Sequence, residues 1–281
     1  MPTIMFSKGN LAGETIAKKL IANHGFNERE PFKTADGKFE WKTWSDGKLK
    51  MYELTTMHIF SDELSKYPLF NETDLIVMLS THKSESNTAS VSVHSCGNFG
   101  NSSKLGGNPL ELGHSSGAAI KIGYNFLLGN PLPSFAIAME ATHHGPTTWK
   151  PPIVWVEIGS GEKEWTNGEA GALMAKCALE ICGKWKKGEK AQPEDKVAIG
   201  FGGTHYCPKF SKLMMENGYE FPYICSKHNL EDVNAEIIKE ALEKSSEKIE
   251  VALIEKKSMN AALREKAIAT LKEIGLPYEL V

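Results

Sequence analysis

Nine histidines are spread unevenly along the chain, and most of them sit among residue types that do acid–base or metal chemistry. His143 and His144 adjoin in Glu140-Ala141-Thr142-His143-His144-Gly145-Pro146-Thr147, directly after an apolar run. Two adjacent imidazoles offer a base near neutral pH, a metal ligand, or both. A single imidazole bonded to a buried backbone carbonyl would also account for the pair. Side chains alternate faces along a strand, so an extended backbone would send only one of the two into a given site. The order is not that of HExxH zinc proteases. Glu157 lies within Trp155-Val156-Glu157-Ile158-Gly159-Ser160, where a carboxylate in an apolar strand is costly unless paired or functional. The Gly159-Ser160 turn can aim backbone N–H groups at an anion or oxyanion.

Two further segments carry the same residue types. In Gly200-Phe201-Gly202-Gly203-Thr204-His205-Tyr206 the glycines allow close backbone approach to a ligand, with His205 at the exit of the turn. The spacing is neither GxGxxG nor a Walker A loop. Ser80-Thr81-His82-Lys83-Ser84-Glu85-Ser86 leads through Val91-Ser92-Val93-His94 to Gly97-Asn98. His82 and Lys83 could meet a phosphate or carboxylate, with the hydroxyls as donors; a solvated polar loop has the same composition. His24, His58 and His228 read as surface or capping residues, and His114 closes the polar stretch.

Strands and helices alternate along the chain to position these segments. Strands are predicted over 2–7, 74–80, 134–140, 153–158, 196–200, 219–225 and 249–254. Helices are predicted from Asn10 toward Gly25, over 117–128, from Asn167 to Gly183, over 208–217, from Asn229, and over 258–274. This rhythm implies an α/β fold with a mixed, mostly parallel sheet and helices on both faces. Two stretches break it: residues 28–50 read as a polar hairpin or excursion, and residues 80–116 as a long polar loop. With no repeat or linker, residues 1–281 read as a single domain.

Composition bounds the function. Hydrophobic residues at 41% and charged residues at 24% are ordinary for a globular chain. No apolar run approaches the ~20 residues of a membrane span, and no signal peptide is visible, so a cytoplasmic protein is the expectation. The five scattered cysteines, without a CxxC pair, argue against a disulfide framework or a structural zinc knot. A net charge of −3 disfavours a protein that coats nucleic acid but leaves room for one that grips a single nucleic-acid end through a local patch.

The blocks His82-Lys83-Ser84-Glu85-Ser86, Val93-His94 with Gly97-Asn98, Glu140 to Thr147, Val156 to Ser160 with Glu164-Trp165, and Gly200 to Tyr206, in that order, resemble the archaeal and plant D-aminoacyl-tRNA deacylase family. The resemblance runs from the first strand to about residue 230, with Thr81 where arginine is expected. It implies a core like those of peptidyl-tRNA hydrolases and phosphorylases, bound zinc, and release of free tRNA and D-amino acid. On that footing His143, His144, His205 and Glu157 are the expected catalytic set, with the three histidines as candidate metal ligands. His82, Lys83, Ser84, His94, Asn98, Gly202 and Gly203 are expected to bind substrate, Lys83 and His82 at the terminal phosphate or ribose. The partner is the acceptor end of D-aminoacyl-tRNA, and monomer is the default. The alternatives are a peptidyl-tRNA hydrolase-like or a phosphorylase-like enzyme, or a non-catalytic binding module.

Overall fold

The computed structural model describes residues 1–83 and 87–281. β1 (Pro2–Ser7) leads into α1 (Leu11–Asn23), which starts where the Asn10 side chain accepts from the Gly13 N–H at 2.9 Å. Residues 28–50 form the hairpin of the two expected alternatives, and it belongs to the sheet. They form β2 (Asn27–Lys33) and β3 (Glu40–Ser45), which run antiparallel, and β3 continues antiparallel to β4 (Lys50–Leu54), itself parallel to β1. They look polar because β2 is the outermost strand and largely exposed, while Trp41 of β3 turns inward. α2 (Leu69–Glu72) precedes β5 (Leu75–Thr81).

The long polar stretch also carries structure. It holds the fully buried β6 (Ser90–His94) and the short pair β7 (Gly97–Asn98) and β8 (Glu111–Leu112). α3 (Gly117–Gly129), β9 (Ala136–Met139), β10 (Ile153–Gly159), α4 (Glu162–Trp165) and α5 (Gly168–Lys184) follow, α5 passing through Gly183 by one residue. The large sheet has the order β2-β3-β4-β1-β5-β10-β6-β9. β4, β1, β5 and β10 run parallel, whereas β6 and β9 run together in the opposite direction.

β11 (Lys196–Phe201), α6 (Pro208–Asn217), β12 (Tyr219–Cys225), α7 (Ala235–Lys244), β13 (Val251–Ile254), α8 (Ala261–Glu273) and β14 (Tyr278–Leu280) build a second sheet, all parallel, in the order β12-β11-β13-β14. α7 begins after Asn234, whose side chain caps the Ile237 N–H at 3.0 Å, and not near Asn229, where the chain makes turns. Leu230 and Val233 remain buried from those turns.

Strand alternation assigns the cores. Ile4, Phe6, Val77, Leu79, Val91, Val93, Val154 and Val156 face α1, α3 and α5. α3 also packs on β12, so Ala198, Phe221, Ile224 and Leu253 join the same cluster and the two sheets share one continuous core. The second sheet's outer face, with Ile199, Phe201 and Tyr223, is closed by α7 and α8. The large sheet's other face, with Met5, Met78 and Trp155, lies under Trp41, Phe70 and Trp149. No helix of the described residues is long and apolar enough to cross a membrane.

One buried polar knot ties α3 to the segments of the second sheet. Lys121 pairs with Asp195 at 2.6 Å, Glu247 accepts from the Gly117 N–H at 2.8 Å, and Glu220 accepts from the Ala191 N–H at 2.5 Å. Burial, reinforced by Asp195 and Glu247, raises the Glu220 carboxyl from 4.5 to about 8 despite the Ala191 bond. Its folded form therefore holds a proton that the unfolded chain gives up above 4.5, and the stability this confers drains away as pH rises through about 8. Glu220→Gln, which cannot ionise, is expected to melt increasingly above the native protein as pH goes from about 5 to about 9. A difference in Tm that stays flat across that range would contradict the buried proton.

Candidate active site

The site begins as one row of side chains across the large sheet. Glu157 of β10 is paired with Ser80 of β5 on one side and Ser92 of β6 on the other. Two residues earlier on each strand that face is still hydrocarbon or small, with Met78 and Trp155 in the core. Continuing β5 by two residues gives His82, and continuing β6 by two gives His94. Because β6 runs against β5, these imidazoles approach Glu157 from opposite directions: His82 Nδ1 lies 3.7 Å and His94 Nε2 3.4 Å from Glu157 Oε2.

β9, parallel to β6, delivers Glu140 one step beyond its last strand residue. The chain then crosses to the second sheet. Ala141 N–H donates to the His205 carbonyl at 2.8 Å, and Thr142 N–H to the Ile224 carbonyl at 2.9 Å. His143 and His144 hang from this crossing. It is not a strand, and His144 adopts the left-handed region at φ +50, so both rings enter the same chamber. That differs from the one-ring expectation, which holds only for extended backbone. His205 arrives from the second sheet through the turn at Gly202 and Gly203, with φ +124 and +78.

Glu140 Oε2 is the point of convergence. It lies 2.7 Å from His205 Nε2, 3.2 Å from His82 Nδ1 and 3.7 Å from His143 Nε2. The ring centroids of His143 are 4.4 Å from His94, 4.4 Å from His144 and 4.6 Å from His205. His82 is fixed from several sides: Tyr206 Oη meets its Nε2 at 3.0 Å, and the Trp165 indole N–H donates to its carbonyl at 3.0 Å. A methyl group on Gly159 would come within 2.8 Å of the His82 ring, so the glycine makes room for the imidazole.

The rings open into a cavity of about 610 Å³. Met57, Ile59 and Leu105 give it an aliphatic wall, and exposed Lys83 stands at its lip. His58, expected at the surface or as a cap, is buried there and bridges Ser7 Oγ at 2.7 Å and Ser80 Oγ at 3.0 Å. Nothing in its apolar neighbours Met57 and Ile59 signals this. Glu140 was legible by the reasoning that singled out Glu157, since both are carboxylates attached to apolar strands; ending a predicted strand on it hid that.

Three expected substrate contacts are turned elsewhere. The Asn98 amide donates to the carbonyls of Gly106 at 2.9 Å and Asn108 at 3.0 Å, fixing a loop. Gly202 N–H donates to the Cys225 carbonyl at 2.9 Å and Gly203 N–H to Ser258 Oγ at 2.7 Å, so neither is free for a ligand. Their role is to bend the chain that carries His205. Ser84 lies outside the described residues.

Electrostatics divides the imidazoles in two. Burial lowers His58 to about 4 and His144 to about 3, and burial with the neighbouring His94 and His144 holds His143 well below its usual range. Burial opposes protonation of His82 as well, but its bonds to Glu140 and Glu157 outweigh it and raise the ring to about 11. The same carboxylates raise His94 against burial. Both glutamates are held low against burial, Glu140 chiefly by the bonds from His205 and His82, Glu157 chiefly by the charge of His94.

The donor set suits a metal ion such as zinc. The Nδ1 atoms of His94, His143 and His144 each donate to a backbone carbonyl, of Ser95, Ala141 and Gly145, at 2.9, 2.8 and 2.8 Å. That fixes the tautomer of His143 and His144 and turns their Nε2 lone pairs inward, as metal-ligating histidines are usually arranged, whereas His94 Nε2 faces Glu157, which favours its protonated form. Ligand atoms of His94, His143 and His144 lie within 4.8 Å of one another, as do those of His82, Glu140 and His205. Buried Glu140 Oε1 has no hydrogen-bond partner among the described residues, a costly condition that a bound cation would relieve.

A family model described as D-aminoacyl-tRNA deacylase matches residues 69–279. A D-aminoacyl-tRNA deacylase of Thermococcus onnurineus is 31% identical, the match covering 99% of this chain and 99% of that protein. One of Methanosarcina mazei is 34% identical, covering 82% of this chain and 76% of that protein. A solved structure described as a conserved protein of unknown function aligns with a TM-score of 0.86 at 27% identity, over 100% of this chain and 95% of that one.

Asn98→Ala leaves two loop carbonyls without their donor. It is expected to cost about 1–3 kcal/mol, read as a Tm lowered by several degrees and faster proteolysis within residues 99–110. An unchanged melting curve would show that the loop does not depend on this amide.

Proposed function

Because the chain belongs to the D-aminoacyl-tRNA deacylase family, and so hydrolyses the ester that joins a D-amino acid to tRNA, we propose that the histidine–glutamate chamber is where that ester is cleaved. The observation that carries the assignment is Glu140 Oε2, which gathers His82, His143 and His205 from three separate segments within 3.7 Å. The continuous core supports reading residues 1–281 as one domain serving this site.

An aminoacyl ester is already activated, so modest catalysis suffices, about 10²–10⁴-fold from a positioned general base and a similar amount from an oxyanion contact. His205 is the base. Its Nε2–H donates to Glu140, which leaves Nδ1 as the lone pair, and the side chain is 39% exposed and so reachable from the chamber mouth. Nδ1 takes a proton from water as the water oxygen bonds to the carbonyl carbon. It then returns that proton to the ribose oxygen as the ester C–O bond breaks. His82, cationic between Glu140 and Glu157, donates through Nε2 to Tyr206, which frees the tyrosine hydroxyl to donate toward the developing oxyanion. Glu157 holds His82 and His94 in place. Met57, Ile59 and Leu105 receive the amino-acid side chain, and Lys83 meets the terminal ribose or phosphate. His143 and His144 would hold zinc through Nε2, joined by His94 once the ion displaced its Nε2 proton. Bound there, the ion supplies polarisation of the ester carbonyl or acidification of a water.

The direct test compares release of tyrosine from D- and L-tyrosyl-tRNA, with and without a chelator. Turnover of the D-substrate alone, lost on chelation and restored by zinc, is expected; D-turnover no faster than buffer would end the assignment, and indifference to chelation would remove the metal from it. Glu140→Gln is expected to lower kcat/KM by about 10²–10⁴-fold, because an amide that can donate as well as accept replaces the carboxylate that sets the His205 tautomer. A loss under tenfold would free His205 from that role.

A further inference from the structure

Tyr206 is a partition. On one side its hydroxyl meets His82 Nε2 at 3.0 Å, and on the other it lines a second, larger cleft of about 760 Å³. The cleft differs in kind from the chamber. One wall is β9, through Ala136, Ile137 and Ala138; the opposite wall is α6, through Pro208, Lys212 and Met215.

β9 is the last strand of the large sheet, so one of its edges is open. Ala136 N–H donates to the Ala89 carbonyl and Glu140 N–H to the Val93 carbonyl, which places the even-numbered residues' main-chain groups toward β6. The N–H and C=O of Ile137 therefore point the other way, toward the cleft. The Met139 carbonyl, two residues on, faces the same way and accepts from Cys207 Sγ at 3.4 Å. A strand edge left open at Ile137 is a template for a ligand or another chain.

We propose that this cleft receives the terminal adenosine of the aminoacyl-tRNA; the inference rests on the deacylase reading of the chamber beside it. The ester has two arms, an acyl side chain and a nucleoside, and they leave the reacting carbonyl in different directions. The chamber's aliphatic wall suits the first. The cleft supplies what the second requires: Tyr206 and Met215 as faces for the base, and a donor and an acceptor side by side at Ile137 for its hydrogen-bonding edge. Lys212 stands at the rim, where the phosphate leads on to the rest of the strand. Lys212 also pairs with Glu216 at 3.7 Å, a solvent-exposed contact weak enough to be exchanged for a phosphate.

The experiment measures AMP binding by calorimetry and hydrolysis of D-tyrosyl-tRNA and D-tyrosine ethyl ester, in the native protein, in Ala136→Phe, which fills the cleft from an exposed position, and in Met215→Ala, which removes one face. AMP should bind the native protein and bind either variant about tenfold more weakly, the scale of one lost stacking contact. KM for the tRNA should rise by a similar factor, with ethyl-ester hydrolysis unchanged. AMP affinity equal in all three proteins would overturn the proposal. So would ethyl-ester and tRNA hydrolysis falling together, or a variant that alters preference among D-amino acids, since the cleft would then hold the acyl arm. Native protein that binds AMP in the cleft and hydrolyses no D-aminoacyl ester would remove the deacylase reading and leave the cleft assigned.

Discussion

Two carboxylates buried close together under hydrocarbon are the constraint around which this protein is organised. Glu140 and Glu157 are both 2% exposed. An isolated buried carboxylate would take up a proton or cost several kcal/mol. Here neither has to, because imidazoles from four separate segments converge on the pair. The demand runs both ways: His82 stays charged only because the glutamates are there, while His143 and His144, farther from that negative charge or outvoted by burial, stay neutral with lone pairs facing inward. One chamber thus contains cationic and neutral forms of the same side chain, sorted by position alone.

The fold makes this possible by running strands against each other. In a purely parallel sheet all carboxyl ends lie along one rim. Here β6 and β9 enter from the opposite rim, so His82 after β5, His94 at the end of β6 and Glu140 after β9 meet over Glu157 in the body of the sheet. The second sheet then closes the chamber, with Ala141 and Thr142 bonded to its backbone so that His205 and the His143–His144 pair share one scaffold.

Much of this was legible in the residue order. The capped starts at Asn10 and Asn167 and the helix over 208–217 with the strand over 219–225 follow from local chemistry and periodicity, while the grouping of His82, His94, His143, His144, His205 and Glu157 was the expectation of the family resemblance. What could not be read were pairings that depend on partners far along the chain. β6 looks like loop because Ser90, Ser92 and His94 face a polar chamber; only its valines face hydrocarbon. The edge strands from residue 27 to 45 look solvated because they are. His58 is ordinary in its own segment and becomes a bridge only when Ser7 and Ser80 stand side by side. Asn98, Gly202 and Gly203 were rightly marked as special, but their special work is holding the backbone.

The crossing at Ala141 and Thr142 also governs when the chamber can exist. Its contacts join the large sheet to residues 205 and 224, and such distant closures come late in folding because chain entropy must be surrendered first. Until the second sheet docks, His143 and His144 have no fixed orientation and Glu140 lacks its closest partner. The chamber is therefore complete only where the two sheets are docked, because Glu140 takes its closest imidazole, His205 at 2.7 Å, from the second of them.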